Sequence, residues 1–198
     1  MSESVQGRDP GPAPEPAQGG TSGSAMRSEG ESPPLHSLRA LIQEDFPLAA
    51  FMGVEPRGWD EAGLELWVPA GPSANVHGTM FGGGIAALGI LAGWGWLRLE
   101  LEARGRSVPV VVQDARTTFA RPIQGPCIAR CLPPAAEHLE RFLRALDRRG
   151  RGRLGLEVEI RPEGTPAPTH PATALQPPST APAAVVEARF AAVPNPSA

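Results

Sequence analysis

The sequence is poor in cysteine and has no strong excess of charge. Only Cys127 and Cys131 occur, and on one strand they would lie roughly 13 Å apart at about 3.3 Å per residue, too far for a disulfide. We therefore expect a reducing, cytoplasmic setting. The formal net charge is −3, which provides no long-range field to hold a polyanion. A nucleic acid partner is therefore not expected.

The signatures of several enzyme classes are also missing. The sequence contains no metal-ligand spacing, no nucleotide-binding glycine signature after a strand and no Gly-x-Ser-x-Gly motif. We therefore expect neither a bound metal nor a cofactor, and serine-type and metal-dependent hydrolysis are disfavoured. The N-terminus lacks a cationic start followed by an apolar stretch, so no signal peptide is indicated.

Large apolar residues are almost absent from residues 1–34. Such a segment cannot bury enough surface to offset its conformational entropy, which predicts a disordered tail. A stretch rich in Pro, Thr and Ala over residues 161–182 predicts a long exposed loop, and residues 194–198 form a C-terminal tail. The remainder predicts a single domain over residues 35–193 that contains this insert.

The rest of the chain shows helical and alternating apolar patterns. Val108–Ile123 is rich in strand-forming residues and should give a long strand, and Leu154–Ile160 and Val186–Ala192 should pair as antiparallel neighbours. The other predicted elements are a helix over Ser37–Asp45, a hairpin of Phe51–Trp59 and Gly63–Pro69, a strand over Cys127–Leu132 and an amphipathic helix over Leu139–Leu146.

The dominant feature is Met80–Leu97, a run that carries no charge. It is either a transmembrane span or a helix that a sheet buries on nearly all sides. The run begins with three glycines, is barely long enough and lies between strand-like segments, so we expect a buried helix and no membrane span. Gly89 and Gly93 are spaced as in a membrane dimer motif, but close approach of strands to a wrapped helix explains them more simply.

One apolar helix between strands patterned for one buried face predicts an α+β architecture, with an antiparallel sheet wrapped around that helix and additional short helices. This order of elements is that of the hotdog fold. Four motifs, in order, resemble the thioesterase domain of the YiiD C-terminal family: Phe46–Val54, Asn75–Gly83, Leu91–Gly95 and Ala120–Ile123.

The resemblance implies a homodimer or homotetramer that acts on acyl-coenzyme A or acyl carrier protein thioesters. Two departures from the family pattern are visible. The family domain is often joined to an acetyltransferase domain, whereas here the N-terminal tail stands in its place. The Pro-rich insert at 161–182 is also unusual, and it bears on the geometry of the last strand pair.

The candidate substrate-binding residues lie where the apolar helix begins. Thioester hydrolysis needs a polarised carbonyl, and a helix N-terminus supplies backbone N–H donors and the positive end of a dipole. Gly82, Gly83 and Gly84 would let a carbonyl oxygen approach the main chain, although glycines here also simply ease tight packing. Thr79, Phe81 and Arg121 complete the candidate binding set.

The candidate catalytic residues are His77, Asn75 and Asp114. Imidazole exchanges protons near neutral pH, but His77 is equally interpretable as a residue that holds its own loop, and Asn75 as an ordinary loop residue. Asp114 lies on the strand expected beside the helix and is the candidate general base, unless it faces solvent on the outer side. A basic cluster of Arg148, Arg149, Arg151 and Arg153 either holds coenzyme A phosphates or is merely solvated.

Two functions compete on these observations. The first is hydrolysis of an acyl thioester to a free acid and a thiol. The second is a non-catalytic hotdog module that binds acyl-coenzyme A or a protein partner. A dehydratase of the same fold is less favoured, because its expected pairing of a histidine with an acid is not found.

Overall fold

The structure is a computed structural model that describes residues 32–164 and 181–194. Its elements, in chain order, are α1 (Pro33–Asp45), α2 (Pro47–Met52), β1 (Glu55–Asp60), β2 (Gly63–Val68), a 3-10 turn (Gly71–Ser73), α3 (Gly82–Glu102), β3 (Val110–Phe119), β4 (Cys127–Cys131), α4 (Ala136–Arg149), β5 (Gly152–Pro162) and β6 (Ala184–Ala192).

The six strands form one antiparallel sheet in the order β1-β2-β4-β5-β6-β3. The expected pairing of the last two strands is confirmed, since β5 and β6 run side by side from the pair Gly152 and Ala192 to the pair Ile160 and Ala184. With one long helix packed against this sheet, the hotdog prediction is confirmed. β3 pairs with β6 alone among the described strands, so its other edge is free.

Helix α3 is the centre of the core. Strands β2, β3, β4, β5 and β6 all contact it. A Cβ atom on Gly89 would lie 2.4 Å from Val186, and one on Gly93 would lie 2.7 Å from Phe190, so both glycines allow close approach of the sheet, as predicted. In length and composition α3 alone, among the described helices, would suffice to cross a membrane, but it is the buried core helix of this fold.

The first helix and the start of the hairpin differ from the prediction. Helix α1 begins at Pro33, before the predicted start at Ser37, and prolines are tolerated in the first helical turn. Residues 47–52, part of which was assigned to a strand, form the short helix α2. Pro47 both ends α1 and opens α2, and Gly53 closes it with a left-handed φ of 71°.

The strand limits near the insert also differ from the sequence pattern. Arg161 and Pro162, assigned to the loop, extend β5 and pair with Ile128 and Cys127 of β4. Most of the predicted insert lies outside the described residues, as do the predicted N-terminal tail up to residue 31 and the last four residues of the chain. The proposed domain limits therefore stay a prediction.

Candidate functional site

The loop that precedes α3 is closed by the side chain of Asn75. Its Oδ1 atom accepts the backbone N–H groups of His77 at 2.9 Å and Thr79 at 3.2 Å, and its Nδ2 atom donates to Oγ1 of Thr79 at 2.9 Å. Gly78 turns the loop with a φ of 71°. Asn75 and Thr79 therefore act on the loop itself, which gives them a structural task whatever else they do.

His77 is exposed at the tip of this loop. Its backbone N–H belongs to the Asn75 network, but no hydrogen bond of its imidazole ring to any described residue occurs. The ring therefore does not hold the loop, and both ring nitrogens are available to an incoming molecule.

The first turn of α3 presents backbone donors. The first intrahelical bond runs from the N–H of Ile85 to the carbonyl of Phe81 at 3.0 Å. The N–H groups of Gly82, Gly83 and Gly84 find no acceptor in the described chain, no side chain caps this end, and its first turn contains no acidic residue. An oxygen that carries negative charge would therefore meet three free donors and the positive end of the helix dipole.

Two exposed phenylalanines flank these donors. A Cβ atom on Gly82 would lie 3.3 Å from Cζ of Phe119, and one on Gly83 would lie 2.3 Å from the Phe81 ring. Phe81 and Phe119 nevertheless keep 58% and 54% of their surfaces exposed. On the third side the buried Ser73 contacts Gly84, and its Oγ atom has no hydrogen-bond partner.

An apolar cavity of about 750 Å³ lies beside this site, between α3, β3 and the α1–α2 junction. Met52 connects the two regions, because it lines the cavity and also lies next to Gly84. Other lining residues are Phe46, Leu48, Leu88, Leu91, Trp94 and Val110. The indole of Trp94 donates to the carbonyl of Val110 at 3.0 Å, which joins α3 to β3.

Strand β3 contacts α3 as expected, but the side chain of Asp114 faces away from the helix, which is the alternative that the sequence left open. The pairing of β3 with β6 shifts between Val112 and Asp114, so Gln113 is an extra residue. A bulge of this kind reverses the alternation of side chains. Asp114 is therefore opposite the exposed Arg189 and accepts from its Nε atom at 2.8 Å.

Arg121 lies in the segment that follows β3. Its guanidinium donates to the carbonyl of Ala181 at 2.6 Å, where the described chain resumes after the insert. Two residues later, the carbonyl of Ile123 accepts the N–H of Met80 in the loop before α3. The segment that contains Arg121 thus contacts the candidate site, while its side chain has a structural partner.

The structure brings together Asn75, Thr79, Phe81 and the three glycines, and it separates Asp114 from them. Sequence reasoning missed Met52, Ser73 and Phe119. All three come from distant parts of the chain, and no local pattern distinguishes them from ordinary core or strand residues.

Known proteins share both sequence and fold with the chain. The family model described as "Putative thioesterase (yiiD_Cterm)" matches residues 35–173. A solved protein of unknown function from Chlorobaculum tepidum is 26% identical with a TM-score of 0.73, over 81% of this chain and 94% of that one. A "putative thioesterase" from Shewanella oneidensis is 22% identical with a TM-score of 0.67, over 81% and 98%.

A thioesterase from Haemophilus influenzae is 17% identical with a TM-score of 0.58, over 81% of this chain and 90% of that one. The two structures that are named thioesterases are less than 25% identical to the chain, so on their own they show the fold. The family match is stronger, because the model covers well over half of the sequence. The chain therefore belongs to the YiiD C-terminal thioesterase family of hotdog proteins.

Proposed function

We propose that this protein hydrolyses the thioester of an acyl-coenzyme A or an acyl carrier protein to a free acid and a thiol. The observation that carries the proposal is the set of free N–H groups on Gly82, Gly83 and Gly84 next to an apolar cavity. The donors suit a carbonyl oxygen and the cavity suits an acyl chain.

In the proposed reaction, water attacks the acyl carbon and a base takes one of its protons. The carbonyl oxygen becomes an oxyanion that accepts from the amides of α3. When the tetrahedral intermediate collapses, the carbon–sulfur bond breaks, the acid leaves, and the thiolate receives the proton. The helix amides therefore act most strongly on the charge that develops in the transition state.

His77 is the first candidate for the base, because its ring lies on the loop before α3 without a partner in the described chain. Asp114 is the second candidate. Within one chain, Asp114 lies on the face of the sheet that points away from α3. It could therefore act only on a thioester bound at α3 of a neighbouring chain.

We propose a homodimer built on the free edge of β3, with a homotetramer as the larger alternative. A long strand with one open edge offers unpaired backbone groups to a second chain. Val111, Val112 and Phe119 leave apolar surface on the same strand exposed. The two reduced, buried cysteines fit a cytoplasmic protein.

A non-catalytic acyl-binding module is the second candidate function. It is favoured by one observation: within the described residues, no carboxylate or imidazole forms a hydrogen bond at the first turn of α3. The helix amides would then bind the carbonyl of a thioester without cleaving it.

Thiol release from a panel of acyl-coenzyme A thioesters, followed with a thiol reagent, tests the proposal. Gly82 is the first residue of α3 and follows an extended Phe81, so Gly82→Pro removes one donor in a position that accepts proline. We expect kcat to fall about 10²-fold or more. Ala136→Pro is the matched control, because Ala136 is the first residue of α4 and follows Ala135, whose ψ of 138° is close to the 131° of Phe81.

Two further variants identify the base. His77→Ala should lower kcat if the ring accepts the proton, and Asp114→Asn should do so only if Asp114 acts across chains. Saturable binding of acyl-coenzyme A without thiol release, by a folded protein at every chain length, would replace the hydrolase proposal with the binding module.

A further inference from the structure

Ser73 lies beside the first turn of α3, although it comes from the 3-10 turn that follows β2. Its carbonyl accepts the N–H of Phe81 at 2.7 Å. The next residue, Ala74, forms an isolated bridge with Met80. Because Phe81 directly precedes α3, these backbone contacts hold the Ser73 side chain at the start of the helix.

The hydroxyl group of Ser73 has no evident task in the fold. Ser73 is only 6% exposed, and its Oγ atom has no hydrogen-bond partner among the described residues. Buried hydroxyl groups normally have a partner, because burial without one is unfavourable. The exposed Ser37 on α1, by contrast, donates to the carbonyl of Pro33 at 3.1 Å. Alanine at position 73 would avoid the unpaired group, so stability does not explain the hydroxyl.

The Ser73 hydroxyl faces the turn that carries the free amides. A Cβ atom on Gly84 would lie 3.5 Å from Oγ of Ser73, so the missing side chain leaves the hydroxyl against the helix backbone. The N–H groups of Gly82, Gly83 and Gly84 are free on this turn. A carbonyl oxygen that accepts from these amides would come within reach of the hydroxyl, whose hydrogen can rotate to meet it.

Met52 covers the same side of Gly84. Its methyl carbon lies 3.7 Å from the position that a Cβ atom on Gly84 would take, and Met52 also lines the apolar cavity. A methionine side chain is unbranched and adapts its shape easily. An acyl chain that enters the cavity can therefore displace it and open the Ser73 hydroxyl to the thioester carbonyl.

We propose that Ser73 is a further catalytic residue, whose hydroxyl donates a hydrogen bond to the carbonyl oxygen of the bound thioester beside the amides of α3. The proposal rests on the proposed function and adds a side-chain donor to it. The hydroxyl keeps its proton and forms no covalent bond with the substrate. Its hydrogen bond strengthens as negative charge develops on the oxygen. A serine nucleophile would need a base as hydrogen-bond partner, and Ser73 has none among the described residues.

The first test removes the donor. In Ser73→Ala, kcat/KM for acyl-coenzyme A should fall about 10²-fold, with most of the loss in kcat. The melting temperature should equal or exceed that of wild type, because an unpaired polar group leaves the interior. Ser73→Cys, which keeps a weaker donor, should have an intermediate kcat.

Ser37→Ala is the matched control, because it removes an exposed hydroxyl that has a partner on α1. It should leave kcat unchanged. An unchanged kcat in Ser73→Ala would overturn the proposal. A loss of kcat in Ser73→Ala that is accompanied by a clear fall in melting temperature would also overturn it, because the hydroxyl would then serve the fold.

Two coenzyme A derivatives that cannot be hydrolysed separate this proposal from the hydrolase. One is a ketone with a methylene group between sulfur and the carbonyl, and the other carries a plain alkyl chain without a carbonyl. Calorimetry should show that Ser73→Ala binds the ketone about threefold or more weakly than wild type and binds the alkyl derivative equally well. Equal affinities of wild type and Ser73→Ala for the ketone would overturn the proposal.

The two proposals can therefore fail independently. If the wild type releases no thiol, and Ser73→Ala loses affinity for the ketone alone, the role of Ser73 as a carbonyl donor is supported and the hydrolase is rejected. If the wild type releases thiol from acyl-coenzyme A and Ser73→Ala does so at the same rate, the role of Ser73 is rejected and the hydrolase stands.

Discussion

Cys127 and Cys131 point from β4 into the core, and burial controls their chemistry. Both thiols are reduced and buried. Burial raises the pKa of the Cys127 thiol to about 12 and raises the pKa of the Cys131 thiol still further. Since the thiolate is the reactive form, neither residue should react while the protein is folded.

We expect a thiol reagent at pH 8 to modify neither cysteine in the native protein and to modify both in denaturant. Absorbance of the released reagent group measures the number of reactive thiols. Rapid modification of either residue under native conditions would contradict the buried position. The same result matters for the thiol-release assay, because the enzyme itself should add no background.

Glu163 directly follows β5 and contacts the first hairpin, which consists of β1 and β2. It pairs with Arg57, whose guanidinium lies 4.3 Å from the centre of the Trp67 ring. The nearby indole of Trp67, followed by the Arg57 guanidinium, holds the pKa of Glu163 below its ordinary range. A lowered pKa means that the ionised form stabilises the fold, and this contribution disappears as the pH falls.

Glu163→Gln should therefore lower the melting temperature at pH 7, and the difference from wild type should shrink as the pH falls below the ordinary glutamate pKa of about 4.3. Thermal unfolding followed by circular dichroism between pH 7 and pH 3 measures this. Glu61→Gln, at the exposed turn between β1 and β2, serves as the control. A difference that grows on acidification would refute the assignment.

The short distance between α3 and β6 depends on a glycine, Gly89. A Cβ atom on Gly89 would lie 2.4 Å and 2.8 Å from two carbon atoms of Val186. Val186 is β-branched and fully buried in the middle of β6, so it cannot turn away. The separation between helix and sheet therefore depends on the absence of a side chain at this position.

Gly89→Ala should lower the free energy of unfolding by about 1–2 kcal/mol, because overpacking outweighs the better helix propensity of alanine. Urea denaturation measures the change. In Gly155→Ala, the new methyl group meets nothing within 4 Å, and the change should stay within about 0.5 kcal/mol. Equal stability of Gly89→Ala and wild type would show that the sheet can move away.

The sequence predicted most of the helices and strands. It did not predict where several of them begin or end, or the direction in which the Asp114 side chain points. Periodicity indicated α4, β5 and β6 because each buries one continuous pattern, and the uncharged apolar run indicated α3. Helix α2 was missed because six residues are too few to show a helical period. The outward direction of Asp114 was missed because the extra residue Gln113 is visible only against the partner strand.

At the scale of the whole molecule, the open edge of β3 is where the proposed dimer would form. The N–H of Ala120 bonds to the carbonyl of Ala183, the residue directly before β6. Backbone groups alternate between the two sides of a strand, so the N–H of Ala115 points to the free edge. Proline is tolerated at such a position without loss of a bond to β6.

Ala115→Pro should convert a dimer to a monomer and abolish most thioester hydrolysis, since it removes a donor from the shared edge. Size-exclusion chromatography with light scattering measures the mass, and circular dichroism checks the fold. Ala115→Thr keeps the N–H and should stay dimeric. A folded Ala115→Pro protein that remains a dimer would show that the copies meet elsewhere.

The sequence by itself determined the hotdog order of elements, the buried helix and the family. These depend on local periodicity and on motifs contiguous in the chain, which a linear reading contains. Only the tertiary structure decided which groups meet at the candidate site. Phe119, Met52 and Ser73 reach the start of α3 through strand register and helix packing, and register depends on pairs of residues far apart in the chain. The outward turn of Asp114 has the same cause, because a bulge exists only between two strands.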